Sequence, residues 1–372
     1  MSILSEFSST HQQLASLAQS ASPLNNDDLV GALTKIRDNT SDSSIAKSEV
    51  QSISNALLSI DTTLFRVEQL FGDASSSGSG ELSKELRNLL VPWKSIRQRF
   101  TNLVWSLRSV AGETEMVVND FSLSFLNYLL SEDSLSDKTA ALEQYGQSLP
   151  LDKGTDIVQA LLQLQDDLGK TVNDWNAVVS RQNLDVSGVT VVQGSLTTIQ
   201  SVLATQVELF TKINDLAIKF GLVPKTCTVK GVNVPLSGLA PEFWYSTLLD
   251  VLTGSTASAL ISQAKDEISG LSRKLKEAQS ARDTAISELS NVAQLHASIL
   301  SVQVGLVSIT RRVGVIGQVV PAVHADIGEI LSLLGLRDQK IINSRISTVN
   351  TLYKTTSILL QAYQNAPIVP GQ

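Results

Sequence analysis

A single cysteine, Cys227, stands in 372 residues, so no disulfide within the chain can staple the fold. The three histidines, His11, His296 and His324, lie far apart, and no two share the spacing that would hold a metal on one helix. No metal and no cofactor are therefore expected. Charged residues make up 17% of the chain, below the roughly one quarter usual for a soluble domain, and the net charge is −7. That balance offers nucleic acid no basic surface. No run of about 18 uninterrupted apolar residues occurs, so a permanent transmembrane helix is not expected. Met1-Ser-Ile-Leu-Ser-Glu-Phe7 has no basic segment ahead of an apolar run, so no signal peptide is expected either. A soluble resting form follows, cytoplasmic or released by a non-classical route.

Catalytic signatures are also missing. There is no Gly-x-Ser-x-Gly elbow and no dinucleotide fingerprint. Leu168-Gly-Lys-Thr171 has the form of the end of a phosphate-binding loop, but Leu164 stands where the upstream glycine is required. The reading is not an enzyme. Asn39-Thr-Ser41 fits a glycosylation sequon that is idle without a secretory route.

What is present is helical periodicity. Val50, Ile53, Leu57, Ile60, Leu64, Val67 and Phe71 alternate steps of three and four, which places one apolar stripe on one helix face. Gly72 to Gly80 closes that helix as a linker. A second stripe runs from Leu82 through Trp93, Phe100 and Leu107 to Val110, with Pro92 inside it, and resumes through Val117, Phe121 and Tyr128. Residues 131–153 read as a connecting region with one pair of helical turns. Further stripes run over 155–219, with a possible kink at Asn183–Gly188, and over 264–334, with a bend at Pro321. Each would be roughly 100 Å long as continuous helix. Leu289, Val292, Ile299, Val302, Leu306, Ile309 and Val313 form the expected core line of the second. Lys84, Arg87, Lys94, Arg97, Arg99 and Arg108 interleave with Trp93, Phe100 and Trp105. The stretch admits a nucleic-acid or lipid-headgroup surface, but in an acidic chain the favoured reading is an amphipathic helix with an aromatic core face and a basic solvent face. His296 and His324 are expected on helix flanks.

Between the two longest stripes lies a segment of another kind. Phe220 to Gln263 holds three of the nine prolines, the cysteine, and only four charged residues, Lys225, Lys230, Glu242 and Asp250. Thr226–Val229, Lys230-Gly231 and Val232–Val234 form a short β-branched hairpin pattern. Phe243-Trp-Tyr-Ser-Thr-Leu-Leu-Asp-Val-Leu252 is apolar and aromatic. One reading is a hairpin that caps a bundle end with Phe243, Trp244 and Tyr245 as its plug. The other is a surface hidden at rest and exposed on a trigger, since the segment is longer than a turn between helices needs. The candidate contact residues are Val229, Val232, Val234, Leu236, Phe243, Trp244, Tyr245, Leu248, Leu249 and Leu252.

The fold class expected is all-α: an elongated bundle of long antiparallel helices (residues 1–220 and 263–372) with a small apolar head (residues 221–262), a short β-hairpin plus helix, inserted between two of them. This layout resembles the cytolysin A superfamily of α-helical pore-forming toxins, which includes haemolysin BL/Nhe components and xenorhabdolysin-type binary toxins. The resemblance rests on the paired stripes and the insert, not on fixed motif residues. It implies a pore-forming toxin or a component of a multi-part cytolysin. The partners it implies are a target membrane, a second toxin subunit, and a homo- or hetero-oligomer on activation. Glu242, Asp250 and the prolines interrupt the head, a departure from members with a long uninterrupted apolar span. The alternative is a rod-like structural protein that presents the 221–262 tip to a protein partner. No nucleic acid partner is expected.

Overall fold

The computed structural model describes residues 3–20, 22–39, 44–76, 80–151, 153–220, 227–229, 232–234, 258–313, 316–336 and 338–366. The helices are α1 (Ile3–Ser20), α2 (Asn26–Asn39), α3 (Ser44–Ser76), α4 (Glu81–Asn119), α5 (Leu126–Leu129), α6 (Leu135–Ser148), α7 (Lys153–Arg181), α8 (Thr190–Lys219), α9 (Ser258–Ser287), α10 (Asn291–Val313), α11 (Val319–Leu336) and α12 (Gln339–Asn365). A π-helical turn, Asp120–Phe125, joins α4 to α5, so one helical path of roughly 70 Å runs from Glu81 to Leu129. Two three-residue strands, β1 (Cys227–Val229) and β2 (Val232–Val234), pair antiparallel with Cys227 opposite Val234 and Val229 opposite Val232. These six residues do not make a β domain, and the fold class is all-α.

The main core lies among α3, α4, α7, α10, α11 and α12. The α3 stripe is buried at every position from Val50 to Phe71. Its antiparallel mate α4 is held in register by Trp93, whose indole Nε1 donates to the Leu64 carbonyl at 2.9 Å. Phe71 meets Trp93 and Trp175 edge-on, with centroids 5.8 and 5.7 Å apart. Burying one such ring contributes on the order of 2–3 kcal/mol from the area removed from water. Ion pairs span the same helices: Arg97 with Glu68, Arg99 with Asp167, and Arg181 with Glu85. The arginines of the basic, aromatic-rich stretch are thus engaged within the bundle, and Arg108 donates to the carbonyls of Gln364 and Ala366. Trp105 departs from the expected core face and is 47% exposed.

The two longest stripes are not continuous helices, and the rod of roughly 100 Å is overturned. Arg181, ending α7, lies beside Glu85 at the start of α4. Asn183 (φ 50°) and Gly188 (φ 86°) then take left-handed conformations, and the chain reverses. The second half of α8, Val202 to Phe220, packs with Leu14, Ala32, Ala264 and Leu352. Tyr353, next to Leu352, meets Phe121 edge-on at 5.5 Å, near the other end of α4. So α8 runs opposite to α7. A second reversal at residues 288–290 separates α9 from α10. Val292 falls at this turn and is 36% exposed, a correction to the expected core line, whereas Ile299, Val302, Leu306 and Ile309 are buried.

Three smaller corrections follow from local chemistry. Residues 135–148 form α6, a 14-residue helix where a connecting region with one pair of helical turns was expected, because the Ser134 hydroxyl caps the Asp137 amide at 3.1 Å and Leu142 is buried. The bend expected at Pro321 lies upstream: a 3₁₀ turn, Ile316–Gln318, precedes α11, and Pro321 sits in the first turn of α11, where no amide is needed. His296 is buried rather than on a flank, and its Nδ1 accepts from the Trp175 indole at 2.9 Å. His324 is exposed.

Candidate membrane-engaging arm

The two reversals make α8 and α9 a paired antiparallel unit set against the bundle. At its base, Val189, Val192, Leu196 and Ile199 of α8 cluster with Ala278 and Ile286 of α9 and with Ala293, Ala297 and Val304 of α10. Toward its tip, Leu209, Ile213, Leu216 and Phe220 cluster with Ala264, Ile268 and Leu271. The last described residue of α8 and the first of α9 therefore stand at the same end, and the chain between them, residues 221–257, leaves and returns there. The base contact is built from Val, Leu, Ile and Ala side chains, all of them buried. The two turns touch: a Cβ placed on Gly188 would lie 3.1 Å from Cδ2 of Leu289. Paired turns in contact at one end are the geometry of a hinge.

A polar clamp ties α1 across this arm. His11 of α1 is buried between Glu208 of α8 and Glu267 of α9, its Nδ1 and Nε2 each 3.7 Å from a carboxylate oxygen. Neither His11 Nε2 nor Glu267 Oε2 makes a hydrogen bond. Burial pushes the His11 imidazole below its ordinary value, against the pull of Glu208. Burial also pushes the Glu267 carboxyl up, with Thr10 opposing. Desolvation is the larger cause for both groups, so the cluster is under-satisfied rather than a strong ion pair. No sequence signal marked it: His11, Glu208 and Glu267 come from three separate helices. Among the described residues no group of three His, Cys, Asp or Glu side chains could hold a metal.

Of the expected contact residues, Val229, Val232 and Val234 fall in β1 and β2. β1 lies beside α11, an apolar helix whose only acidic residues are Asp326 and Glu329. Leu236, Phe243, Trp244, Tyr245, Leu248, Leu249 and Leu252 lie outside the described residues. So does the rest of the 221–262 head before Ser258. Among the described residues one helical stretch, Asn291–Thr310 in α10, is long and apolar enough to cross a membrane, but 56% of it is buried, as suits a core strut.

No family model and no curated protein matches the sequence. Solved structures do. The chain is similar to the SmhB pore of the tripartite α-pore-forming toxin Smh from Serratia marcescens, with 14% identity over 85% of this chain and 98% of that one, at a TM-score of 0.38. It is similar to the Bacillus cereus HblL1 toxin component, with 10% identity over 85% and 97%, at a TM-score of 0.37. It is also similar to the AhlB pore of the tripartite toxin AHL from Aeromonas hydrophila, with 12% identity over 87% and 99%, at a TM-score of 0.33. TM-scores this low leave the helix arrangement of this chain its own.

Proposed function

We propose that this protein is an α-helical pore-forming toxin component whose α8–α9 arm delivers the apolar 221–262 head to a target membrane. One observation carries the reading. The reversals at 182–189 and 288–290 adjoin, so α8 and α9 can swing as one body while the main core stays closed. Opening both turns would join α7 to α8 and α9 to α10 end to end and carry the insert away from α11.

At the membrane, Phe243, Trp244 and Tyr245 supply rings with polar handles suited to the water–lipid boundary, and Leu248, Leu249 and Leu252 supply apolar area. Val229, Val232, Val234 and Leu236 belong to the same surface. In the closed form the hairpin beside α11 keeps that surface small enough for solubility. A second toxin subunit and assembly into an oligomer at the membrane complete the proposal.

Dye release from liposomes tests it, with the protein alone and with co-encoded candidate subunits. In a Cys227→Ser background, a cysteine pair placed across the α8–α10 contact, Ile199→Cys with Val304→Cys, should block release when oxidised and restore it on reduction. Absence of both liposome binding and release would leave a scaffold that presents its tip to a protein partner.

A further inference from the structure

The outer face of the α4–α5 path carries large apolar side chains that no other described element covers. Val91 is 71% exposed, Trp105 47%, Met116 64%, Leu123 52% and Leu130 47%. They recur at steps of fourteen, eleven, seven and seven, which return to nearly the same side of an α-helix, so they form one stripe along the longest described helical path. Isolated exposed apolar residues are ordinary, but an aligned series is not. Trp105 is also held in place: the Arg108 guanidinium lies 5.2 Å from its ring centroid and is itself anchored by the Gln364 and Ala366 carbonyls.

The charges on this face are divided. Lys84, Arg87 and Lys94 are exposed on its first half, whereas Asp120, Glu132, Asp133 and Asp137 are exposed at its far end. The stripe is also palindromic. A twofold axis crossing α4 between residues 110 and 111 would set Val91 opposite Leu130, Gln98 opposite Leu123, and Trp105 opposite Met116 of a second copy. The basic end with Lys84 and Arg87 then lies toward the acidic end of the second copy, where Glu132 and Asp133 follow Leu129 in the turn and Asp137 sits in the first turn of α6. Near the axis stand exposed Ser106 and Ser109, small enough for two helices to approach closely.

We propose that this face is an isologous dimer interface, with α4 of one copy lying antiparallel to α4 of a second. Charge complementarity favours a second copy over an unrelated partner, because the face supplies both the basic half and the acidic half it needs. One helix face roughly 60 Å long and 10 Å wide offers about 600 Å² per copy, below the roughly 800 Å² of a standard stable interface. The dimer is therefore weak and concentration-dependent. It uses none of the arm, so it stands or falls independently of membrane activity.

Sedimentation velocity over a concentration series tests the interface. The unaltered chain should shift from monomer to dimer with rising concentration. Trp105→Glu should keep it monomeric at every concentration, with helical circular dichroism and melting midpoint unchanged. Lys84→Glu with Arg87→Glu should weaken association at least tenfold, as should Asp133→Lys with Asp137→Lys, and mixing the two double variants should restore a dimer. In a Cys227→Ser background, Gln98→Cys with Leu123→Cys should form intermolecular disulfide dimers, whereas Gln98→Cys alone should not, because its two copies lie roughly 37 Å apart along the axis. A chain that stays monomeric throughout, a dimer that survives Trp105→Glu, or charge variants that fail to rescue one another would each overturn the proposal.

Discussion

Asp326 places a carboxylate in the buried core, 4% exposed. The Tyr353 hydroxyl donates to its Oδ2 at 2.7 Å, and Arg345 and Glu329 lie nearby. Burial raises its pKa from 3.8 to about 6, against the pull of Arg345 and Tyr353. The folded state therefore binds this proton more tightly than the unfolded chain. Its contribution to stability is fully present below pH 3.8 and is lost as pH rises through about 6. The difference amounts to roughly 3 kcal/mol. Denaturant melts of Asp326→Asn should show this pH dependence removed between pH 4 and 6; an unchanged profile would place the titration elsewhere. Ile309, 1% exposed, is a simpler case: Ile309→Ala should cost roughly 2–5 kcal/mol through the cavity it leaves. Side chains such as Ile309 were legible because a core position obeys its own helix's period. The burial of His296 and Asp326 was not, since each depends on a partner from another helix, Trp175 or Tyr353.

At the scale of elements, the stripes of α3, α4, α7 and α10 were readable from spacing alone. The reversals were not. Apolar periodicity continues unchanged from α7 into α8, and only Asn183–Gly188 marked a break, which spacing cannot distinguish from a kink. Direction is set by the left-handed backbone at Asn183 and Gly188 and by what each helix then finds to pack on. Gly188 is a test of that turn. Gly188→Ala should destabilise by roughly 1–2 kcal/mol, because its φ of +86° disfavours a Cβ that would also press on Leu289. Gly194, inside α8 with open space around it, is the control: Gly194→Ala should stabilise by roughly 0.5–1 kcal/mol. Equal effects at both positions in urea melts would remove the turn's special conformation. The 221–262 head was legible only as an anomaly of composition, since an apolar segment does not name what covers it.

For the whole molecule, the folded-back arm predicts a shorter particle than two continuous stripes would give. A body of roughly 75 Å has a radius of gyration of about 25 Å, against about 31 Å for a rod of 100 Å and about 21 Å for a compact globule of this length. Small-angle scattering should return the middle value. The central claim, however, is movement: the α8–α9 arm leaves the bundle when the head meets lipid. It is tested most directly by the distance between spin labels at exposed Thr211 on α8 and exposed Lys354 on α12, in a Cys227→Ser background. The account predicts one short distance in solution that lengthens when liposomes are added and dye is released. Release with that distance unchanged would contradict it.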